Sequence, residues 1–459
     1  MNWLMMTSRF ARISSGRWIG YAWVVALAGS LALSGWLAHQ RTKKVEEYPF
    51  GCDSFGYLWM AQEIRQAAAG RRLPQFRLET EHTRLLIELL RSRGVPVESW
   101  DEMIAPHAHH YFPAANHVGV QYPPGTGLLL ALFPQGEAVS GLNHAVILLF
   151  LTAGFSLLAF AAARRAWVSA GFVALALHLG LDILANIGDI SFSINAVLVP
   201  LLFSFLCLFG ARWLRLRRAR TGLDADDTES AAAAGSGDFA PRLLALAGGL
   251  FFGFAVLVRL PVLFLLPGLF VLLWPAHSSL SWQLRRALAP RALLRSDLIL
   301  FSAVVFLCGL VPLLAHQYRM AGAWYLSTYG RADNASPNLD TVSRNLSYYL
   351  GTGPGAEDNW ALFAIFAGFA GFAFYFHRCG RAARDFGLMS WQRVALAALV
   401  LWGVPTAYFL THAIRIHYYP KPSTFGAALL LALGALTIEG RAARLTVPEA
   451  GGTPHWSLR

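Results

Sequence analysis

The chain has 459 residues, 56% of them hydrophobic and only 14% charged, and its mean hydropathy of +0.45 is more apolar than a soluble domain needs. The formal net charge of +12 is carried by short basic clusters between apolar runs, the pattern of a membrane protein's loops, and so gives no support to a nucleic-acid partner. Cys52, Cys207, Cys308 and Cys379 are spaced for neither a disulfide framework nor a zinc site.

Apolar runs long enough for a bilayer, about 20 residues each, are predicted near 17–38, 141–163, 166–186, 191–212, 298–318, 359–377, 394–412 and 421–439. Residues 243–275 form a longer run broken by Arg259, Leu260 and Pro261, which reads as two short spans meeting at a turn on one membrane face. The expected fold class is therefore an all-α polytopic membrane protein with about ten transmembrane helices. The first span follows Arg9, Arg12 and Arg17 and lacks a small-residue cleavage site, so it is expected to be retained.

Basic residues occupy alternate connections: the N-terminus, Arg164 with Arg165, the groups from Arg212 to Arg242, from Arg285 to Arg295 and from Arg378 to Arg393, and Arg441 with Arg444. The positive-inside rule then places both termini in the cytoplasm. The Ala-, Leu- and Arg-heavy composition points to a bacterial inner membrane. Three non-membrane segments remain. Residues 213–242, containing DADDTESAAAAGSG, read as a cytoplasmic flexible linker, while 39–125 and 319–358 face outward as the first and second periplasmic loops. No internal repeat is visible, which weakens the case for a transporter built from two halves.

The first outward loop opens with YPFGCDSFGYLWMAQEIRQA, a short amphipathic helix with Asp53 at or just before its N-terminus. Asp53 is a functional carboxylate or a helix cap. The loop ends with HAHHYFPAANHVGVQYPPGTGLLLALF, in which His107, His109, His110 and His117 precede Gln121, Tyr122, Pro123, Pro124 and Gly125. Those histidines either bind a divalent metal or are solvated. The prolines and glycine set a turn before an apolar run at 128–133 that is too short to cross. Tyr57, Gln121 and Tyr122 are the candidate substrate-binding residues. Asp189, in ANIGDISFS between the third and fourth spans, is a second acidic candidate or a cap.

Arg259 is an ionisable group between apolar runs, a functional candidate or a snorkelling arginine. Between the last two spans, LTHAIRIHYYPKPS adds His412, Arg415, His417, Tyr418 and Lys421 on the same face, a cationic cluster suited to a phosphate or to lipid headgroups. Asn334 and Asn345 lie in Asn-x-Ser sequons that are incidental in a bacterial chain. A transporter would place ionisable residues along its spans; this chain offers His178 and Asp182.

An Asp shortly after the first span leading into an aromatic-rich juxtamembrane helix, a Tyr-Pro-Pro-Gly segment before the next spans, and the run GGLFFGFAVLVRLPVLFLLPGLFVLLW together resemble the GT-C class of membrane glycosyltransferases. The likeness is to bacterial relatives of the protein mannosyltransferases and the lipid A aminoarabinose transferase, with Leu260 inserted in an Arg-Pro-like turn. It covers roughly residues 15–320 in layout. The resemblance implies a polyprenyl-phosphate-linked sugar donor, a glycan, lipid or protein acceptor, and chemistry on the periplasmic face among membrane lipids. It makes Asp53 the catalytic base or a metal-holding carboxylate, with Asp189 as a second acid. Arg259, Arg415, His417 and Lys421 would bind the donor phosphate, and a divalent metal such as Mg or Mn would sit on Asp53 with His109. The competing readings are a transporter or flippase of lipid-linked substrates and a non-catalytic envelope scaffold.

Overall fold

The computed structural model describes residues 3–44, 52–78, 80–187, 192–221, 239–274, 297–329, 337–352, 360–378, 391–413, 416 and 419–445. Asp189, Arg415 and His417 lie outside them. Among the described residues, eight helices are long and apolar enough to cross a membrane: Trp18–Thr42, Ala138–Arg164, Trp167–Asn186, Phe192–Arg215, Phe239–Val258, Asp297–Ala321, Trp391–Thr411 and Lys421–Glu439. The other two expected spans fall on shorter apolar helices, Leu260–Leu273 and Leu362–His377. The chain is thus a largely helical multi-pass membrane protein, in which each spanning backbone satisfies its own hydrogen bonds.

The long apolar helices lie in α1 (Trp3–Thr42), α6 (Ala138–Arg164), α7 (Trp167–Ile187), α8 (Phe192–Thr221), α9 (Phe239–Val258), α11 (Asp297–Val305) with α12 (Val311–Ala321), α15 (Trp391–Thr411) and α16 (Lys421–Leu445), and the shorter helices are α10 (Leu266–Leu273), α13 (Val342–Tyr349) and α14 (Trp360–Arg378). A π-turn at Phe306–Leu310 joins α11 to α12, which together form one span. The helix α16 is the axis of the bundle: the hydropathic window of Lys421–Glu439 is wholly buried, whereas that of α1 is mostly exposed. Phe425 of α16 meets Phe150 of α6 with ring centroids 5.2 Å apart, and Phe205 of α8 is buried in the same core. Of the segment 213–242, α8 takes in the residues to Thr221 and α9 those from Phe239, while 222–238 lie outside the described residues.

The basic clusters have structural work at one end of the bundle. Arg212 donates to the carbonyl of Leu272 at 2.5 Å, and Arg393 to those of Val271, at 2.9 Å, and Trp274. Together they satisfy the C-terminal carbonyls of α10, which a helix leaves without partners of its own. Arg215 pairs with Asp297 at 2.5 Å. At the start of α7, Glu439 accepts the N–H groups of Val168 and Ser169 at 3.2 and 2.7 Å.

At the other end, residues 52–130 build a small layer on the bundle. It contains α2 (Cys52–Ala69), α3 (Glu81–Ser92), α4 (Trp100–Ile104), β1 (His109–Phe112), β2 (His117–Val120) and α5 (Gly125–Leu130). Helix α2 covers the segment that the sequence reads as a short helix after the first span. The antiparallel hairpin, in register His109↔Val120 and Phe112↔His117, departs from a purely α-helical reading. Its four-residue strands are too short to leave a period-two signal. Ile87, Trp100, Tyr111 and Val118 form a separate core beneath it.

Helix α5 does not cross; it is buried between α2 and α9. Arg65 of α2 donates to the carbonyls of Leu130, Ala131 and Phe133 at its end, at 2.9, 3.3 and 2.7 Å. A Cβ on Gly125 would lie 2.5 Å from the backbone of Leu257 and Val258. The Pro-Pro-Gly turn therefore brings the Tyr122 segment against the last turn of α9, directly before Arg259.

Candidate functional site

Asp53 sits half-buried in the first turn of α2, where a carboxylate complements the exposed N–H groups of the helix. Its Oδ1 accepts the phenol hydrogen of Tyr122 at 2.5 Å. The Tyr122 oxygen in turn accepts from Gln121 Nε2 at 2.5 Å. Four residues on from Asp53, Tyr57 stacks on Tyr122 with ring centroids 4.5 Å apart, since positions i and i+4 share a helix face.

Tyr57 connects this carboxylate to Arg259. The Ser193 hydroxyl, at the start of α8, hydrogen-bonds Tyr57 and accepts from Arg259 Nη1 at 2.9 Å. Burial, reinforced by Tyr329 and Asp53, pushes the Tyr57 phenol well above its ordinary range, against the opposing pull of Ser193 and Arg259. The phenol therefore stays neutral and acts as a polar wall between the two charges.

Arg259 stands where α9 ends. Its backbone is extended at φ −152° and ψ 111°, and a tight 3-10 turn over Leu260–Leu265 with Pro261 at its start follows. The guanidinium lies over the Tyr419 ring, 5.0 Å from the centroid, which holds its plane by cation–π attraction. A cleft lined by Arg259, Pro261, Phe409, Tyr419 and Ser423 opens beside it.

Phe409 also belongs to a neighbouring cavity of about 280 Å³. Its walls include Tyr349, Leu362, Trp402, Gly403 and Leu410, and Lys421 and Thr424 stand among them. Two further wall residues, Leu346 and Phe366, are exposed on the outside of the bundle. The cavity is thus apolar, reachable from the side, and adjacent to Arg259.

The structure brings Asp53, Tyr57, Gln121, Tyr122 and Arg259 into one constellation and places Lys421 at the neighbouring cavity. His109 is elsewhere, buried between Phe55 and Trp59 with ring centroids at 5.9 and 5.2 Å. Its Nδ1 pairs with the carbonyl of His107 at 2.9 Å. Burial lowers the His109 imidazole below its ordinary value, with His110 adding to the effect and the His107 carbonyl opposing it. Among the described residues no group of three or more His, Cys, Asp or Glu is placed to hold a metal. The described donors around Asp53 are phenols and an amide, a poor match for a protein-held divalent cation.

Sequence reasoning overlooked Ser193, Tyr329 and Tyr419. Ser193 carried no signal beyond being a polar residue at the start of an apolar run, and the two tyrosines looked like interfacial aromatics. Asn345, one of the two sequon asparagines, is fully buried and donates to the carbonyls of Phe409, Leu410 and His412 at 3.2, 2.9 and 2.8 Å.

Fold and site together define a multi-pass helical membrane protein with a polar, charged constellation under a small extramembranous layer. Comparison with family models, with curated proteins and with solved structures finds no match to this chain.

Proposed function

We propose that the chain is a glycosyltransferase of the GT-C class. On this reading it moves a sugar from a polyprenyl-phosphate-linked donor to a cell-envelope or protein acceptor at the periplasmic face of a bacterial inner membrane. The observation that carries the reading is the series of contacts from Asp53 through Tyr122, Tyr57 and Ser193 to Arg259, beside an apolar cavity suited to a prenyl tail.

The chemistry divides between the two charges. Asp53 takes the proton of an acceptor hydroxyl, and the freed oxygen forms a bond to the anomeric carbon of the sugar. The bond from that carbon to the phosphate oxygen breaks, and the phosphate keeps the electron pair. Arg259 stabilises the departing phosphate, assisted by Lys421 and by Arg415 and His417 of the same connection. Tyr57, Gln121 and Tyr122 wall the sugar pocket, and Asp189 is the second acidic candidate. The two shorter apolar helices complete ten spans, with both termini in the cytoplasm.

Transport of lipid-linked substrates would call for ionisable groups lining a path through the spans. His178 Nδ1 instead pairs with the carbonyl of Ala174 at 2.7 Å, and Asp182 accepts from Asn186 at 2.6 Å, each within its own helix.

The deciding experiment is binding of polyprenyl-phosphate sugars to the detergent-purified protein by native mass spectrometry, comparing wild type with Arg259→Ala and Asp53→Asn. Saturable binding lost in Arg259→Ala supports the transferase reading. Absence of binding across a panel of such lipids would sink it.

A further inference from the structure

The hydrogen bonds running away from Asp53 have a direction that chemistry fixes. Tyr122 has one phenol hydrogen, given to Asp53 at 2.5 Å, so its oxygen receives the Gln121 amide N–H. That orientation leaves Gln121 Oε1 facing His110 Nε2 at 2.6 Å. An amide oxygen only accepts, so His110 donates there. On its other side, His110 Nδ1 faces Asp101 Oδ2 at 3.0 Å, while Asp101 Oδ1 accepts the Tyr111 N–H at 2.6 Å.

Local structure explains why these groups meet. His110 and Tyr111 are successive residues of β1, and α4 delivers Asp101 beneath that strand. Gln121 directly follows β2, with its carbonyl accepting from Thr328 at 2.7 Å. Gln121 and Tyr122 are buried, whereas the Asp101 side chain is 43% exposed and that of His110 24%. The series therefore leads from a surface carboxylate inward to Asp53.

A side-chain amide does not pass protons along, so this series transmits orientation. If His110 could not donate, the Gln121 amide would be free to turn over and present its oxygen to Tyr122. The Tyr122 phenol would then have two competing acceptors, Gln121 and Asp53.

We propose that Asp101 and His110 are positioning residues that lock the Gln121 amide and thereby commit the Tyr122 phenol to Asp53. The role rests on Asp53 being the base of the reaction proposed above: the Tyr122 hydrogen bond to Oδ1 sets the orientation in which the carboxylate meets the acceptor hydroxyl.

The test needs one readout without catalysis and one with it. The first is the ζ-carbon NMR signal of Tyr122 in detergent-purified protein carrying labelled tyrosine, assigned with Tyr122→Phe. His110→Phe and Asp101→Ala should each move it, and His110→Gln, which keeps an N–H donor, should leave it near the wild-type position. Should His110→Phe fail to fold, Gln121→Glu, which removes the donor to Tyr122, must move the signal as well. The second readout is sugar release from undecaprenyl-phosphate-linked hexoses. His110→Phe is expected to lower kcat about 100-fold, the scale of a misplaced catalytic group, with KM for the donor unchanged and His110→Gln largely active. An unmoved Tyr122 signal in His110→Phe and Asp101→Ala overturns the proposal even if wild type is active, as does a change confined to KM. A moved signal in a protein that releases sugar from no donor leaves the coupling standing and removes the glycosyltransferase reading instead.

Discussion

The Arg259 guanidinium rests on the ring of Tyr419, 5.0 Å from its centroid, while its Nη1 reaches Ser193 at 2.9 Å. Arg259→Lys keeps the charge but loses both the planar stack and the forked donors. Binding of a polyprenyl-phosphate sugar should weaken by about tenfold in Arg259→Lys and about 100-fold in Arg259→Ala, on the scale of a lost charge-assisted pair. Titration by native mass spectrometry reads both, and equal affinity in all three proteins would take Arg259 out of the site.

Asp53→Asn preserves the shape of the carboxylate and its bond to Tyr122 while removing the base. Turnover of the lipid-linked donor should fall by at least about 100-fold, with donor binding and melting temperature close to wild type. Full turnover in a folded Asp53→Asn protein would show that the proton goes elsewhere.

Much of this arrangement was legible in the sequence as separate pieces. Long Leu-, Ala- and Phe-rich runs specified the spans, because only a helix satisfies its backbone in lipid. Asp53, Tyr122 and Arg259 stood out one by one as a charge after a span, a residue beside Pro-Pro-Gly, and a cation inside an apolar run. Their convergence was not legible, since Asp53 meets Tyr122 across 69 positions and Arg259 meets Ser193 across 66. The pairing of Asp101 with His110 was hidden further, because it depends on a hairpin whose strands have four residues each.

The cavity beside Arg259 has open space next to the backbone of Gly403. A Cβ on Gly403 meets nothing within 4 Å, and Gly403 lines the cavity from the interior of α15. Gly403→Leu should fold at least as well as wild type, given the helix propensity of leucine. It should bind a long-chain polyprenyl-phosphate sugar about tenfold more weakly and a short-chain analogue unchanged, as blocked apolar contact predicts. Equal losses for both chain lengths would mean that the tail lies elsewhere.

His109 gives the extramembranous layer a pH dependence. Its folded-state value lies below the ordinary 6.5 because the ring is buried, so the unfolded chain takes up a proton first. The stabilisation is complete above about 6.5 and is lost as pH falls through the folded value. Thermal melts in detergent should therefore show a lower midpoint at acidic than at neutral pH, and His109→Leu should narrow that difference. A midpoint with the same pH dependence in both proteins would contradict the assignment.

Gly125 marks where the Tyr122 segment presses on α9. Gly125→Ala would put a methyl group 2.5 Å from the Leu257 and Val258 backbone, and backbone cannot yield as a side-chain tip does. A loss of about 1–3 kcal/mol is expected from overpacking of this kind, measurable as a reduced melting temperature. The donor-lipid affinity should fall with it, because Arg259 follows that turn of α9.

The burial of Asn345 bears on how the protein is best produced. Its side-chain nitrogen, which a glycosylating host would modify within Asn-Leu-Ser, is the atom that donates to the carbonyls of Phe409, Leu410 and His412 at the end of α15. A glycan attached during synthesis would compete with closure of that helix end, so yeast or insect-cell material would be partly misassembled. Replacing Asn345 would remove the same three bonds. Ser347→Ala abolishes the sequon and gives up only one bond of 3.2 Å, from its exposed hydroxyl to the carbonyl of Ser343, which makes it the substitution to carry in any eukaryotic expression vector.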